Sequence, residues 1–231
     1  MKKVLITLIA VVFTFGLAGA AEAAVISFAD TIIGVDSPAP AGWSTNNSLK
    51  KINSSYTLLN GMATVSGYKN GSYALSHRLT RGLGVWSGEF DEVDFKSDRP
   101  ERIEITFDVV DYYVNSLEVR SLFKQGGVDS WGTEKGTIDF WLDGSSFYTE
   151  NLVGQMSGGN GALVVSYGTP KLVDKLVYYI PTGMGIVSRE SEFAVAKLDV
   201  TATPEPTSLL LFGIGGLGLG FFKRKRRGVN K

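Results

Sequence analysis

Four carboxylates, Glu89, Asp91, Glu92 and Asp94, fall within six positions at the end of the segment Arg81-Gly82-Leu83-Gly84-Val85-Trp86-Ser87-Gly88-Glu89-Phe90-Asp91-Glu92-Val93-Asp94. Hard oxygen donors this close together suit Ca²⁺, which takes six to eight oxygens and relieves their mutual repulsion. The spacing is not that of an EF-hand, which needs a Gly at its sixth position and a Glu at its twelfth. The segment therefore reads either as a Ca²⁺ site of another kind or as a solvated acidic loop ahead of a strand, and no other cofactor is expected. The large aromatics Trp43, Trp131, Trp141 and Tyr148 form a second candidate set. Flat rings stack on pyranose faces while Asp and Asn bond the hydroxyls; the competing reading is core or hairpin packing, where large aromatics usually go.

Catalytic chemistry finds little to work with. The chain has one histidine, His77, and no cysteine, so a zinc cluster of imidazoles or thiolates is excluded. Ser76 and His77 are neighbours in sequence, and on a strand their side chains point to opposite faces, which rules them out as a nucleophile with its base. Acidic residues are numerous enough to allow many pairs without singling out two for glycoside cleavage. The expectation is a protein that is not an enzyme. Without disulfides, stability must come from an apolar core or bound ions.

The elements that would position these residues are short and extended. Apolar and polar residues alternate between turn residues, and no amphipathic helix longer than two turns stands out. In Arg102 to Val109 the side chains of Ile103, Ile105, Phe107 and Val109 share one face, and those of Arg102, Glu104, Thr106 and Asp108 the other. Thr137 to Leu142 repeats the scheme, and Asp143-Gly144 supplies a tight turn into Ser145 to Thr149. Further strands are expected at Ala24 to Phe28, Tyr56 to Val65, Ser72 to Leu79, Leu117 to Phe123, Ala162 to Tyr167, Lys175 to Ile180 and Glu192 to Thr201. Ser44 to Ser55 and Gly158 to Gly161 read as loops. The fold class is all-β, a two-layer antiparallel β-sandwich with jelly-roll-like connectivity.

The two ends of the chain are of a different kind. Met1-Lys2-Lys3, the uncharged apolar run Val4 to Leu17 and the small-x-small site Ala21-Glu22-Ala23 form a secretory signal peptide over residues 1–23, cut by signal peptidase after Ala23. Residues 203–231 hold Pro204-Glu205-Pro206, an apolar Gly-rich helix over 208–222, and a basic tail over 223–231 opened by Lys223, Arg224, Lys225, Arg226 and Arg227. The cations resist translocation, so the Pro-Glu-Pro must lie on the far side of the membrane. Fifteen residues at 1.5 Å rise reach about 22 Å, short of the ~30 Å hydrocarbon core, which suits transient retention better than a permanent anchor.

In arrangement and position this tail resembles the PEP-CTERM sorting signal of Gram-negative, exopolysaccharide-producing bacteria. The resemblance implies recognition of Pro204, Glu205 and Pro206 by an exosortase, transient residence in the inner membrane, and release or transfer to the cell surface. The Gly-Leu-Gly-Val segment and its acidic run resemble a stretch recurring in β-sandwich proteins with such tails. What remains is one domain over residues 24–202. Taking Lys2, Lys3 and the six basic residues after Phe222 from the 23 basic residues, and Glu22 and Glu205 from the 23 acidic ones, leaves 15 against 21, a charge of about −6. Such a surface argues against nucleic acid as a partner. The expected role is a structural or adhesive protein of the cell surface or extracellular matrix. A carbohydrate-binding module recognising exopolysaccharide is the alternative, and a secreted hydrolase the third.

Overall fold

Period-two alternation can bury one face of a chain segment only if that segment lies in a sheet, and most of the described residues do so. The computed structural model describes residues 23–29, 50–52, 55–85, 93–96, 99–122, 133–155, 161–181 and 192–203. Residues 23–201 form one compact unit; 1–22 and 202–231 form a second, of which only 202 and 203 are among the described residues. The signal peptide, the sorting motif, the apolar run and the basic tail expected from the sequence thus fall outside the described residues, apart from Ala23. Among the described residues no helix is long and apolar enough to cross a membrane.

The strands are β1 (Ala23–Ser27), β2 (Lys50–Ile52), β3 (Tyr56–Leu58), β4 (Ala63–Lys69), β5 (Ser72–Tyr73), β6 (Leu75–Arg78), β7 (Gly82–Val85), β8 (Val93–Lys96), β9 (Arg99–Phe107), β10 (Tyr112–Arg120), β11 (Lys135–Leu142), β12 (Ser145–Val153), β13 (Leu163–Val173), β14 (Lys175–Tyr179) and β15 (Glu192–Ala202). They make two antiparallel sheets. The first runs β12-β11-β14-β9-β4, with β3 and β5 on β4. In the second, β10 lies between β13 and β15, while β15 also carries β1 and β7, and β7 leads on to β6 and β2. The short β8 pairs with both β9 and β15 and so links the sheets. Pairing is nested: β11 with β12, β10 with β13, β9 with β14, then β8 and β7 with β15, taken alternately from one sheet and the other.

The inner faces supply the core. Ile103, Ile105, Phe140, Leu176 and Tyr178 of the first sheet and Val114, Val119, Phe193, Val195 and Leu198 of the second are fully buried. Each such aliphatic or aromatic side chain contributes about 1.5–3 kcal/mol on burial. Gly136 on β11 makes room for a ring of the opposite sheet, since a Cβ there would sit 2.6 Å from Phe193 Cε1. Phe140 and Tyr167 meet edge to face across the layers, with centroids 5.5 Å apart.

Several expectations are corrected in detail. Tyr56 to Val65 is not one strand but a hairpin, because Leu59, Asn60 and Gly61 all take positive φ and turn the chain. Val109 is 63% exposed rather than inward, because β9 ends at Phe107 and the chain bends away. The stretch Ser44 to Ser55, read as a loop, contains β2, whose Ile52 is buried. The stretch singled out for chemistry contributes two strands, β7 and β8, rather than a loop throughout.

Candidate functional site

Trp141 and Tyr148 flank the Asp143-Gly144 turn, where both residues take the positive φ that the sequence called for. They do not share a face. Leu142 pairs with Ser145 and Trp141 with Ser146, but the register then shifts so that Phe140 pairs with Tyr148. Without that bulge Tyr148 would oppose Asp139 and lie on the Trp141 side; one residue of slip sends it to the other. Trp141 therefore sits on the outer face, against its cross-strand neighbour Lys175, whose Nζ lies 4.1 Å from the ring centroid. Tyr148 turns toward the inner layer, edge-on to Phe140 and Tyr167, with Lys171 Nζ 4.3 Å from its centroid. Its hydroxyl donates to Glu150 Oε2 at 2.8 Å, and this bond, ahead of burial, holds its pKa above the usual phenol value. On each ring a face that could take a sugar is occupied by a lysine ammonium, a contact that favours packing. Trp43 and Trp131 lie outside the described residues.

Of the proposed Ca²⁺ ligands, Glu89, Asp91 and Glu92 lie outside the described residues, and Asp94 lies on β8, opposite Glu192. Among the described residues no three histidines or carboxylates are grouped to hold a metal ion. Burial first, then the charges of Asp174 and Asp143, raise the pKa of Asp111.

The preceding Gly82-Leu83-Gly84-Val85 has a clear structural role. Gly82 takes φ +117°, and a Cβ there would collide with the Val195 carbonyl oxygen and lie 3.0 Å from Ala196 Cα. Glycine lets β7 lie directly on the last strand, where Leu83 pairs with Val195.

That last strand is held along its length. On one side β1 pairs from Ser27↔Lys197 to Ala23↔Thr201, and the Phe28 amide adds a bond to the Ala196 carbonyl at 2.9 Å. The far end of β1 is fixed by His77, whose Nε2–H donates to the Phe28 carbonyl at 2.8 Å; burial lowers the pKa of this imidazole and keeps it neutral. On the other side of β15 lies β10. Its Asn115 falls at the register break between β10 and β13, and its side-chain amide donates to Asp199 Oδ1 at 3.2 Å and Thr201 Oγ1 at 3.0 Å. Sequence reasoning passed over Asn115. The available signal was an Asn, poor in strands, at a point where burial shifts phase from Val114 to Leu117. The strand ends at Ala202, and Pro204 follows after a single residue.

Residues 202–227 match the PEP-CTERM protein-sorting motif, beginning on the last residue of β15. The chain carries a PEP-CTERM protein-sorting motif. No curated protein matches it. Among solved structures, this PEP-CTERM chain is similar to the family 32 carbohydrate-binding module of C. perfringens NanJ in complex with galactose, at 11% identity over 78% of this chain and 93% of that one with a TM-score of 0.32. It is similar to a fucose-binding module of Streptococcus pneumoniae at 10% identity over 82% and 94%, TM-score 0.27. A third likeness is to the C-terminal domain of a chitobiase from Bacteroides fragilis at 17% identity over 46% of this chain, TM-score 0.28; there the PEP-CTERM chain spans 65% of the other's length.

Proposed function

We propose that this protein is an exported, non-enzymatic precursor. In this reading its signal peptide is cut after Ala23, and its tail retains it in the inner membrane through the apolar helix 208–222 and the cations Lys223 to Arg227. An exosortase acting at Pro204-Glu205-Pro206 then delivers a jelly-roll-like domain to the cell surface or extracellular matrix, where it has a structural or adhesive role. The observation that carries the reading is the sorting motif over residues 202–227, joined directly to a strand paired on both sides. Nested strand pairing supports the jelly-roll description, and the lysines on Trp141 and Tyr148 support a packing role for those rings. Mass spectrometry of the mature protein from strains with and without the exosortase tests the route. The expected result is loss of the C-terminal peptide only where the enzyme is present; a tail that persists in the intact strain refutes it.

A second reading, binding of exopolysaccharide, draws on the outer face of the first sheet. Tyr68, Arg102 and Tyr179 stand in one cross-strand row, with the Arg102 guanidinium over one face of the Tyr68 ring. Asp139 accepts a hydrogen bond from Thr149 Oγ1 at 2.7 Å. Flat aromatic surface beside charged hydrogen-bonding groups is what a polysaccharide strand requires. Co-sedimentation with the host polysaccharide, lost on Tyr68→Ala with Tyr179→Ala, would establish it; equal sedimentation of the variant would remove it.

A further inference from the structure

One strand pair sets the residue expected to end the signal peptide beside the strand that leads in sequence to the sorting motif. Ala23, the last residue of the expected signal peptide, is the register partner of Thr201, and Thr201 stands three residues before Pro204. We infer that removal of the signal peptide licenses removal of the tail. The inference rests on the sorting reading above and adds an order of events to it.

The physical reason is competition for one backbone edge. Proteases bind their substrates as extended segments through main-chain hydrogen bonds, the same bonds that a neighbouring strand uses. Pro204 and Pro206 carry no amide hydrogen, and Pro204 holds Thr203 extended, so much of the main-chain grip on the motif must fall on the residues leading into it. In the precursor, those residues start from a strand that is held on both sides: β1 lies along it to Ala23, and Asn115 of β10 ties Asp199 and Thr201. Cutting after Ala23 takes the partner of Thr201 away with the signal peptide. β1 then begins at Ala24, opposite Val200, and the β1 edge of Thr201 is open to the enzyme.

The experiment is carried out on the full chain in the exosortase-bearing strain, with C-terminal cleavage followed by pulse-chase. Ala21→Phe destroys the small-x-small site without touching β1, and the readout is taken on the fraction that keeps its signal peptide. In that fraction tail removal should slow at least tenfold. Adding Ala23→Pro and Ala24→Pro removes amide hydrogens of both parities from the start of β1, so whichever faces β15 is lost, and cleavage of the tail should return to at least half the wild-type rate with the signal peptide still attached. Asn115→Ala in the Ala21→Phe background loosens the same strand from the other side with β1 intact, and should recover part of the rate. If signal-bearing Ala21→Phe precursor loses its tail at the wild-type rate, or neither loosening variant recovers cleavage, the inference is overturned. If the wild-type chain itself keeps its tail, the sorting reading fails instead.

Discussion

Replacing Gly82 by alanine should be among the most damaging single-methyl changes in this domain. At φ +117° a side-chain-bearing residue costs roughly 1–3 kcal/mol. The added Cβ would collide with the Val195 carbonyl oxygen and stand 2.9 Å from its carbon, a backbone neighbour that no rotamer change can move, and such overpacking costs about 1–3 kcal/mol more. The sum is about 4 kcal/mol against a total stability of roughly 5–15 kcal/mol. At ~2–4 °C per kcal/mol for a domain of this size, the midpoint should fall by roughly 8–16 °C. Gly71→Ala is the matched control, because Gly71 takes φ +77° and a methyl group placed there would have nothing within 4 Å, so it should show only the backbone cost of about 1–2 kcal/mol. Thermal unfolding of the purified exported protein reads both. A Gly82→Ala variant that melts within about 4 °C of Gly71→Ala would refute the claim that the close approach of β7 to β15 is what requires glycine.

Three further outcomes follow from buried polar groups. Lys69 Nζ lies 2.8 Å from Glu101 Oε1 across β4 and β9, with the carboxylate side chain fully buried; Lys69→Met should destabilise by about 3 kcal/mol in urea titration, and Lys69→Met with Glu101→Leu should recover most of it. Tyr178 is fully buried with no hydrogen-bond partner for its hydroxyl among the described residues, and burial raises its pKa; Tyr178→Phe should leave stability unchanged or raise it by up to ~1 kcal/mol, and a clear loss would show a missed partner. The lowered pKa of His77 means that the unfolded chain binds this proton more readily than the folded one. Its contribution is therefore full above the unfolded value of 6.5 and is lost as pH falls through the lower folded value. His77→Gln should flatten unfolding midpoints in the window just below about pH 6.5, and an unchanged slope there would place the titration elsewhere.

Local chemistry was legible in the sequence where a single residue pair decides it, and pairing between distant strands was not. Asp143-Gly144 announces its hairpin because few other residues accept two successive positive φ values, and Asn70-Gly71 carries the same signal into the β4–β5 hairpin. The alternation from Ile103 to Phe107 gives the inner face of β9 correctly, since period two is a property of the strand alone. Trp141 and Tyr148 show the limit. Their separation in sequence is compatible with one shared face, and only the register shift between Phe140 and Trp141 sends them apart. Gly82 and Gly84 looked like part of a ligand loop because glycine serves close backbone approach of every kind; which backbone approaches is fixed by β15, more than a hundred residues away.

That distance explains why the last strand matters more than its place in the chain suggests. β15 pairs with β1, β7, β8 and β10, so both the first strand and the middle of the sequence close upon it. The sorting motif begins on its final residue. A tail joined by a long flexible linker would report nothing about the domain it carries, whereas here the strand leading into the motif is in place only when segments from the beginning, middle and end of the chain have already met. Loop-closure cost makes such long-range contacts late in folding. The pairing of β15 up to Ala202 is thus a property of the completed fold, and the residues that set it, Gly82, Asn115 and the start of β1, are the ones at which stability and sorting are to be measured together.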